Sequence, residues 1–250
     1  MKRYFSKIPH PSTSFRDKNI SMLRLVVRNM GPLARDVAFL GGTVLPLLIA
    51  PEFGRYVRLA KDVDFIADHA SKKDIYLFED EMRERGFKKR RTGAVSQWAF
   101  QYVNIDELPA DPEILSFNNR WCAEALLYAQ RKNIGDGLTA NLISPAYFLG
   151  VKFDAFHQRG RENFIRSYDV YDIVVLIAGN PDVVFDVQDR SSDKLKHYLS
   201  HEFQRLLDNS GNLSKLIPTL FPKNIDVQQR IPKVVSCIQK MIHMEPALIS

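Results

Sequence analysis

Asp62 and Asp64 stand two residues apart in the segment Arg58-Leu-Ala-Lys-Asp-Val-Asp-Phe-Ile-Ala67, where apolar Val63 and Phe65 alternate with them. On a strand, positions two apart point to one face, so the two carboxylates converge. Like charges side by side on an apolar strand resist burial unless a cation neutralises them. Mg²⁺ or Mn²⁺ suits such a site, because these hard cations take oxygen ligands and share them with triphosphate oxygens. Asp106 closes the run Ser96-Gln-Trp-Ala-Phe-Gln-Tyr-Val-Asn-Ile-Asp106, which alternates in the same way. Set beside the Asp62 strand, it completes a three-carboxylate site of the kind that holds two metals for in-line displacement at phosphorus. Asp106 would then serve as ligand and general base. Glu107 points to the other face, and Asp68 falls beyond the apolar run as a turn residue. The bland alternative is a set of solvent-facing acids on an edge strand.

Groups suited to phosphate flank these acids. Leu40-Gly-Gly-Thr43 places a double glycine between a strand and a helix. Gly41 and Gly42 let the backbone approach a ligand closely, and the helix start at Thr43 offers amide groups to a phosphate. A tight turn needs the same residues. Lys152 lies on a helix whose other face, with Phe148, Val151 and Ala155, is apolar, so its stem can pack while the ammonium reaches a phosphate. An ordinary surface lysine has that pattern too. Asp169 and Asp172 are one helical turn apart and share a face, although acids near a helix start also complement its dipole. His197 and His201 have metal-ligand spacing without a third ligand, so they read as exposed helix residues. His157 reads as helix surface, Phe117-Asn-Asn-Arg-Trp121 as a loop beside a core tryptophan, and Ser144 as a helix cap.

The elements that must carry these groups follow from periodicity. A helix is predicted from Asn19 to Arg35, with Ile20, Leu23, Leu25, Val26 and Met30 at helical spacing and Pro32 near its stop. Val37-Ala-Phe-Leu40 reads as a short buried strand, followed by a helix from Val44 to about Ala50. Arg58 to Ala67 is a second strand, Ser71 caps a helix that ends at Gly86, and Ser96 to Asp106 is a third strand. Leu138 to Ile143 makes a fourth. Pro145 then starts a helix through Phe156. Helices over Ser167–Ala178, Ser192–Asn209 and Val227–Met244 follow, with Pro232 in a first turn or at a kink. The fold expected is α/β (α+β). A small mixed sheet flanked by helices, with the N-terminal helix, fills residues 1–143, and a C-terminal helical bundle over 144–250 closes the cleft.

Bulk composition narrows the classes. With 250 residues, 45% of them hydrophobic, the chain can bury a proper core and is not a disordered tail. Two cysteines, Cys122 and Cys237, make neither a zinc cluster nor a disulfide framework, which fits a reducing compartment. The basic N-terminus MKRYFSKIPHPSTSF has no apolar core of a secretory signal. The most apolar run, Val37 to Ala50, is too short to span a bilayer and is broken by Gly41, Gly42 and Pro46. A cytoplasmic protein without a membrane partner is expected. The net charge of +6 points to an anionic partner. Much of it lies in Arg83-Glu-Arg-Gly-Phe-Lys-Lys-Arg-Arg91, which is a solvated turn or a contact for an RNA or DNA backbone.

Taken in order, the double glycine, the D-x-D pair and the later aspartate resemble the polymerase-beta-like nucleotidyltransferase superfamily. About twenty residues separate Gly42 from Asp62, which is more similar to the AbiEii/AbiGii toxin-like branch. Gly41-Gly-Thr-Val-Leu45 resembles its G-G-x-x-L motif. Arg58-Leu-Ala-Lys-Asp-Val-Asp64 resembles its R-x-T-x-D-x-D motif, with Ala60 where a hydroxyl residue is usual. Lys152-Phe-Asp-Ala-Phe-His-Gln-Arg159 and Asp169-Val-Tyr-Asp172 are similar to two later helical motifs, and the match runs from Val37 to Gly179. The resemblance implies transfer of a nucleoside monophosphate from an NTP to an acceptor hydroxyl, with release of pyrophosphate. It implies Asp62, Asp64 and Asp106 as Mg²⁺ or Mn²⁺ ligands, and Lys152 as a catalytic group on the triphosphate. Gly41, Gly42, Thr43, Arg58, Asp169 and Asp172 would complete nucleotide binding. RNA, tRNA above all, is the acceptor the branch suggests, with a cognate antitoxin protein as partner; proteins and small antibiotics are acceptors elsewhere in the superfamily. A catalytically silent nucleotide- or RNA-binding module of the same fold stays open, as does a helical interaction protein with an accidental D-x-D.

Overall fold

The computed structural model describes residues 13–69, 71–90, 96–110, 119–159, 164–208, 217 and 225–243. Its centre is a seven-stranded mixed sheet in the order β3-β4-β5-β2-β1-β7-β6. The strands are β1 (Val37–Leu40), β2 (Asp62–Ala67), β3 (Lys88–Lys89), β4 (Ser96–Phe100), β5 (Val103–Pro109), β6 (Gln130–Gly135) and β7 (Leu138–Leu142). β2 runs antiparallel to β1 and parallel to β5, while β1 and β7 are parallel. All four residues of β1 are buried, as a strand covered on both faces requires. In β2 half-buried Asp62 and Asp64 alternate with buried Val63 and Phe65, so the sheet presents one acidic and one apolar face at this point.

The apolar face is closed by α3 (Lys72–Glu84). Phe65 meets Phe39 edge-on at 6.1 Å and Phe78 of α3 at 6.0 Å. Ser71 caps that helix, its hydroxyl accepting from the Asp74 amide at 3.3 Å. The same face holds Glu107, which accepts from Trp98 Nε1 at 2.7 Å and pairs with His69 Nε2 at 2.8 Å. Glu107 therefore points away from the other acids, as strand parity predicts.

The remaining helices are α1 (Thr13–Met30), α2 (Leu45–Leu48), α4 (Cys122–Leu127), α5 (Pro145–Gln158), α6 (Tyr168–Gly179), α7 (Val183–Asp189), α8 (Asp193–Asp208) and α9 (Ile225–Ile242). From Pro145 onward every described element is helical, with α5 packing on α6, α7 and α8 and α9 closing over α6, α7 and α8. Ser167 caps α6, accepting from the Asp169 and Val170 amides. No helix of the described residues is long and apolar enough to cross a membrane.

The chain departs from the periodicity reading in several places. Ser96 to Asp106 is not one strand but the hairpin β4–β5, turning at Gln101 and Tyr102. Gln101 takes φ 51° with no glycine, proline or asparagine to mark the turn, which is why alternation runs through it unbroken. Asp106 accordingly lies within β5 rather than at a strand end. β2 begins only at Asp62, and Arg58 to Ala60 form an irregular approach to it. The first helix starts at Thr13 and ends at Met30, where Gly31 takes φ 58° and a 3-10 turn through Arg35 follows. The helix expected over Val44 to Ala50 shrinks to one turn between two 3-10 segments. Strands β3 and β6 and helices α4 and α7 are too short or too polar to show a period. Pro232 lies inside α9, beyond its first turn.

Candidate functional site

The acids meet because of register. Asp64 lies opposite Leu40 of β1 and opposite Asp106 of β5, while Asp62 lies opposite Asn104. Parity then puts Asp62, Asp64 and Asp106 on one face. One ligand oxygen from each comes within 4.8 Å of the other two, and all three side chains are half-buried. Among the described residues this is the one group of three His, Cys, Asp or Glu side chains close enough to share a cation. Every donor is a carboxylate oxygen, a set that fits Mg²⁺ or Mn²⁺ and not a thiolate-seeking metal.

Burial first, and then Asp62 and Asp106, push the Asp64 carboxyl from 3.8 up to about 8, against the pull of Lys152 and Arg58. Asp106 is likewise raised, by burial and by Asp62, and is pulled back by Gln97. Gln97, opposite Asp106 on β4, donates from Nε2 to Asp106 Oδ1 at 3.1 Å. Three acids held this close without a cation retain a proton at neutral pH.

The turn after β1 is built around the same carboxylate. Gly41 takes φ 78°, and a Cβ on it would stand 1.9 Å from Asp64 Oδ2. Only glycine permits both that backbone and that approach. Asn19, wholly buried at the start of the apolar stripe of α1, ties the turn to the segment before β2. It donates from Nδ2 to the Gly42 and Arg58 carbonyls at 3.1 and 2.9 Å and accepts from the Ala60 amide at 2.9 Å. Ala60 stands where a Cβ on Gly42 would come within 3.2 Å of its own Cβ, so a small residue fits there. Thr43 is wholly buried, and its hydroxyl has no hydrogen-bond partner among the described residues. The side chain of Thr43 is thus enclosed by the protein.

A second charged cluster adjoins the acids. Arg58 forms a two-pronged pair with Asp172, Nε to Oδ1 at 3.0 Å and Nη2 to Oδ2 at 2.8 Å. Lys152 of α5 donates to Asp172 Oδ2 at 2.7 Å and to Asp169 Oδ1 at 3.2 Å, and Arg159 pairs with the other oxygen of Asp169. Burial opposes ionisation of Asp172, but Lys152 and Arg58 overcome it and hold the carboxyl below its ordinary value. Burial likewise works against the Arg58 cation, and Asp172 more than compensates, raising its pKa. Three cations against two carboxylates leave one positive charge in excess beside the three acids. The Arg58 guanidinium also lies over the Tyr168 ring, 5.1 Å from its centroid.

The structure brings Asp62, Asp64, Asp106, Gly41, Gly42, Arg58, Lys152, Asp169 and Asp172 into one neighbourhood, although Lys152 is buried between two carboxylates rather than reaching into open space. Acids far apart would have favoured an accidental D-x-D; they are not far apart. His157 pairs with Glu202 at 2.8 Å and so belongs to the α5–α8 contact. Of Phe117-Asn-Asn-Arg-Trp121, the first two residues lie outside the described ones, and Trp121 is a core residue. Of the basic run from Arg83, Arg91 also lies outside the described residues, and Arg83 and Lys89 both pair with Glu79. Sequence reasoning missed Asn19 and Gln97, whose partners are set by tertiary contact alone. Asp154 of α5 is also buried, but it accepts from Arg120 Nε at 2.9 Å and Gln158 Nε2 at 2.8 Å, which are not residues of the site.

No family model matches the chain, and no curated protein matches it in sequence. Among solved structures, it is similar to an antigenic nucleotidyltransferase-like protein from Paracoccidioides brasiliensis, with a TM-score of 0.51 and 20% identity. The match covers 78% of this chain and 91% of that one. At that identity the likeness concerns the fold, which is nucleotidyltransferase-like.

Two outcomes follow from the acid cluster. Gly41→Ala forces the Asp64 carboxylate aside, and cation affinity, measured by Mn²⁺ titration, should fall about 10–100-fold. The melting temperature should also drop, by the equivalent of about 1–2 kcal/mol for the left-handed backbone. Unchanged affinity would show that Asp64 does not bind the ion. Because the folded carboxyl of Asp64 is raised, the cation-free protein should lose stability as pH rises from 3.8 towards about 8. Asp64→Asn should flatten that slope in a melting series, and an equal slope in both proteins would contradict the placement of the charge.

Proposed function

We propose that the chain is a metal-dependent nucleotidyltransferase that moves a nucleoside monophosphate from an NTP to an acceptor hydroxyl and releases pyrophosphate. The observation that carries this reading is the convergence of three carboxylates whose mutual repulsion calls for a divalent cation, beside a cluster with surplus positive charge. Asp62, Asp64 and Asp106 would hold the ion, Mg²⁺ or Mn²⁺. Such an ion, when bound, offsets charge on the phosphates and lowers the pKa of a hydroxyl on it.

The protein's own groups would do the rest. Asp106, whose Oδ1 is occupied by Gln97, would take the acceptor's proton on Oδ2 as general base. The backbone amides at Gly41, Gly42 and Thr43 would face the phosphates. Arg58 and Lys152, oriented by Asp172 and Asp169, would supply fixed positive charge where the pyrophosphate leaves, so that little reorganisation is needed during transfer. The helices of residues 144–250 would close the cleft over the nucleotide and exclude water.

RNA, including tRNA, is the acceptor we favour. The net charge of +6 supports a polyanionic partner, and the toxin-branch resemblance of Gly41–Leu45, Arg58–Asp64, Lys152–Arg159 and Asp169–Asp172 supports RNA in particular. That resemblance is also the support for a cognate antitoxin as partner.

Incubation with Mg²⁺, each α-labelled NTP and total tRNA, total protein or a small-molecule mixture should transfer label to RNA. Asp62→Ala/Asp64→Ala should lower transfer by at least about a thousandfold, as loss of the metal site should. Nucleotide binding without transfer to any acceptor would favour the silent module, and transfer that survives in the variant would remove the acids from the chemistry.

A further inference from the structure

Beyond the opposite end of β1 from the acids, a cavity of about 290 Å³ opens between the C-terminal end of α1 and the β6–β7 hairpin. Its charged lining is Arg28, Arg35 and Arg131, joined by Thr139 and by Gly31 and Gly137. No acid and no aromatic ring is among the described residues that line it. The arginines are weakly engaged. Arg35 is exposed and makes no ion pair among the described residues. Arg131 donates to the Thr139 hydroxyl, from Nε at 3.1 Å and Nη2 at 2.9 Å. Arg28 reaches Asp136 only at 3.7 Å, and that acid also serves Arg24 at 3.4 Å. Arg85, outside the lining, brings a further guanidinium against Gly31, with Nη1 2.8 Å from where a Cβ would stand and its Nε buried without a hydrogen-bond partner among the described residues. The neighbouring acids, Asp36 and Asp136, do not balance this charge.

We propose that this cavity binds phosphate and holds the backbone of a nucleic-acid acceptor while the reacting hydroxyl lies at the acids. The proposal rests on the reading of RNA as acceptor and adds a second, separate place where RNA is gripped. Guanidinium forks match phosphate oxygens. With no ring to stack a base, the lining reads charge and not sequence. Arg35 precedes β1 and Gly41 follows it, so the four residues of β1, roughly 13 Å of extended chain, lie between the cavity and the turn beside the carboxylates. A strand lying across both would be anchored a short way from its reacting end.

The test is equilibrium binding of fluorescently labelled tRNA to the full chain, without NTP, across about 50–200 mM salt. Arg35→Ala/Arg131→Ala is compared with Lys233→Ala/Lys240→Ala, a charge-matched pair on exposed positions of α9. The arginine variant should bind about tenfold more weakly, with a log–log salt slope shallower by about 1–2, while the lysine control keeps wild-type values. Equal melting temperatures would show that both variants fold. Wild-type protein that binds RNA with both variants alike would overturn the cavity and leave the acceptor reading intact. Wild-type protein that binds no tRNA would overturn both. Inorganic phosphate that raises the melting temperature of wild type but not of the arginine variant, with RNA binding equal in the two, would assign the cavity to a free anion and overturn the proposal.

Discussion

Three carboxylates on adjacent strands, and the repulsion between them, set the terms for the rest of this structure. A sheet will not gather Asp62, Asp64 and Asp106 on one face unless something repays the electrostatic cost. Part of the compensation is local. Gly41 makes room for one carboxylate, Gln97 steadies another, and Asp64 keeps a proton until its pKa near 8 is passed. Part of it comes from two cations, Arg58 before β2 and Lys152 on α5 in the helical half, whose positive charge favours the ionised form of Asp64.

Those two cations also join the sheet to the helices. Arg58 belongs to the irregular approach to β2, whereas its partner Asp172 lies on α6 and shares its oxygens with Lys152 on α5. Removing either cation would leave a buried carboxylate with half its compensation, a costly state in a low-dielectric interior. Because every member of the cluster is hydrogen-bonded, it behaves as one fixed positive element rather than as three mobile side chains. Asn19 does the same for the backbone, holding the Gly41–Gly42 turn against Ala60 through three hydrogen bonds. The site is thus preorganised from the α1 side and from the α5–α6 side at once.

Much of this was legible in the residues themselves. Parity on a strand is enough to pair Asp62 with Asp64 and to send Glu107 to the other face, and a double glycine after a buried strand is enough to mark a close approach. What could not be read was who meets whom across the sheet. The β4–β5 hairpin was invisible because Gln101 adopts its left-handed turn without a glycine. Asn19 carries no pattern at all, since a buried asparagine declares itself only when its three backbone partners are in place. Helical periodicity points Lys152 outward from an apolar helix, but α6 brings two carboxylates to its ammonium, a tertiary contact that periodicity does not encode.

The central claim is that the three acids take up a divalent cation together with a nucleotide. Calorimetric titration of Mn²⁺ into the full chain, with a non-hydrolysable NTP analogue and in buffers of different ionisation enthalpy, addresses it most directly. Binding to wild type at pH 7 should release most of one proton per protein, the one that Asp64 holds in the cation-free state. Binding should disappear in Asp62→Asn/Asp64→Asn. Equal binding in both proteins, or none in wild type, would contradict a metal-dependent site at these residues.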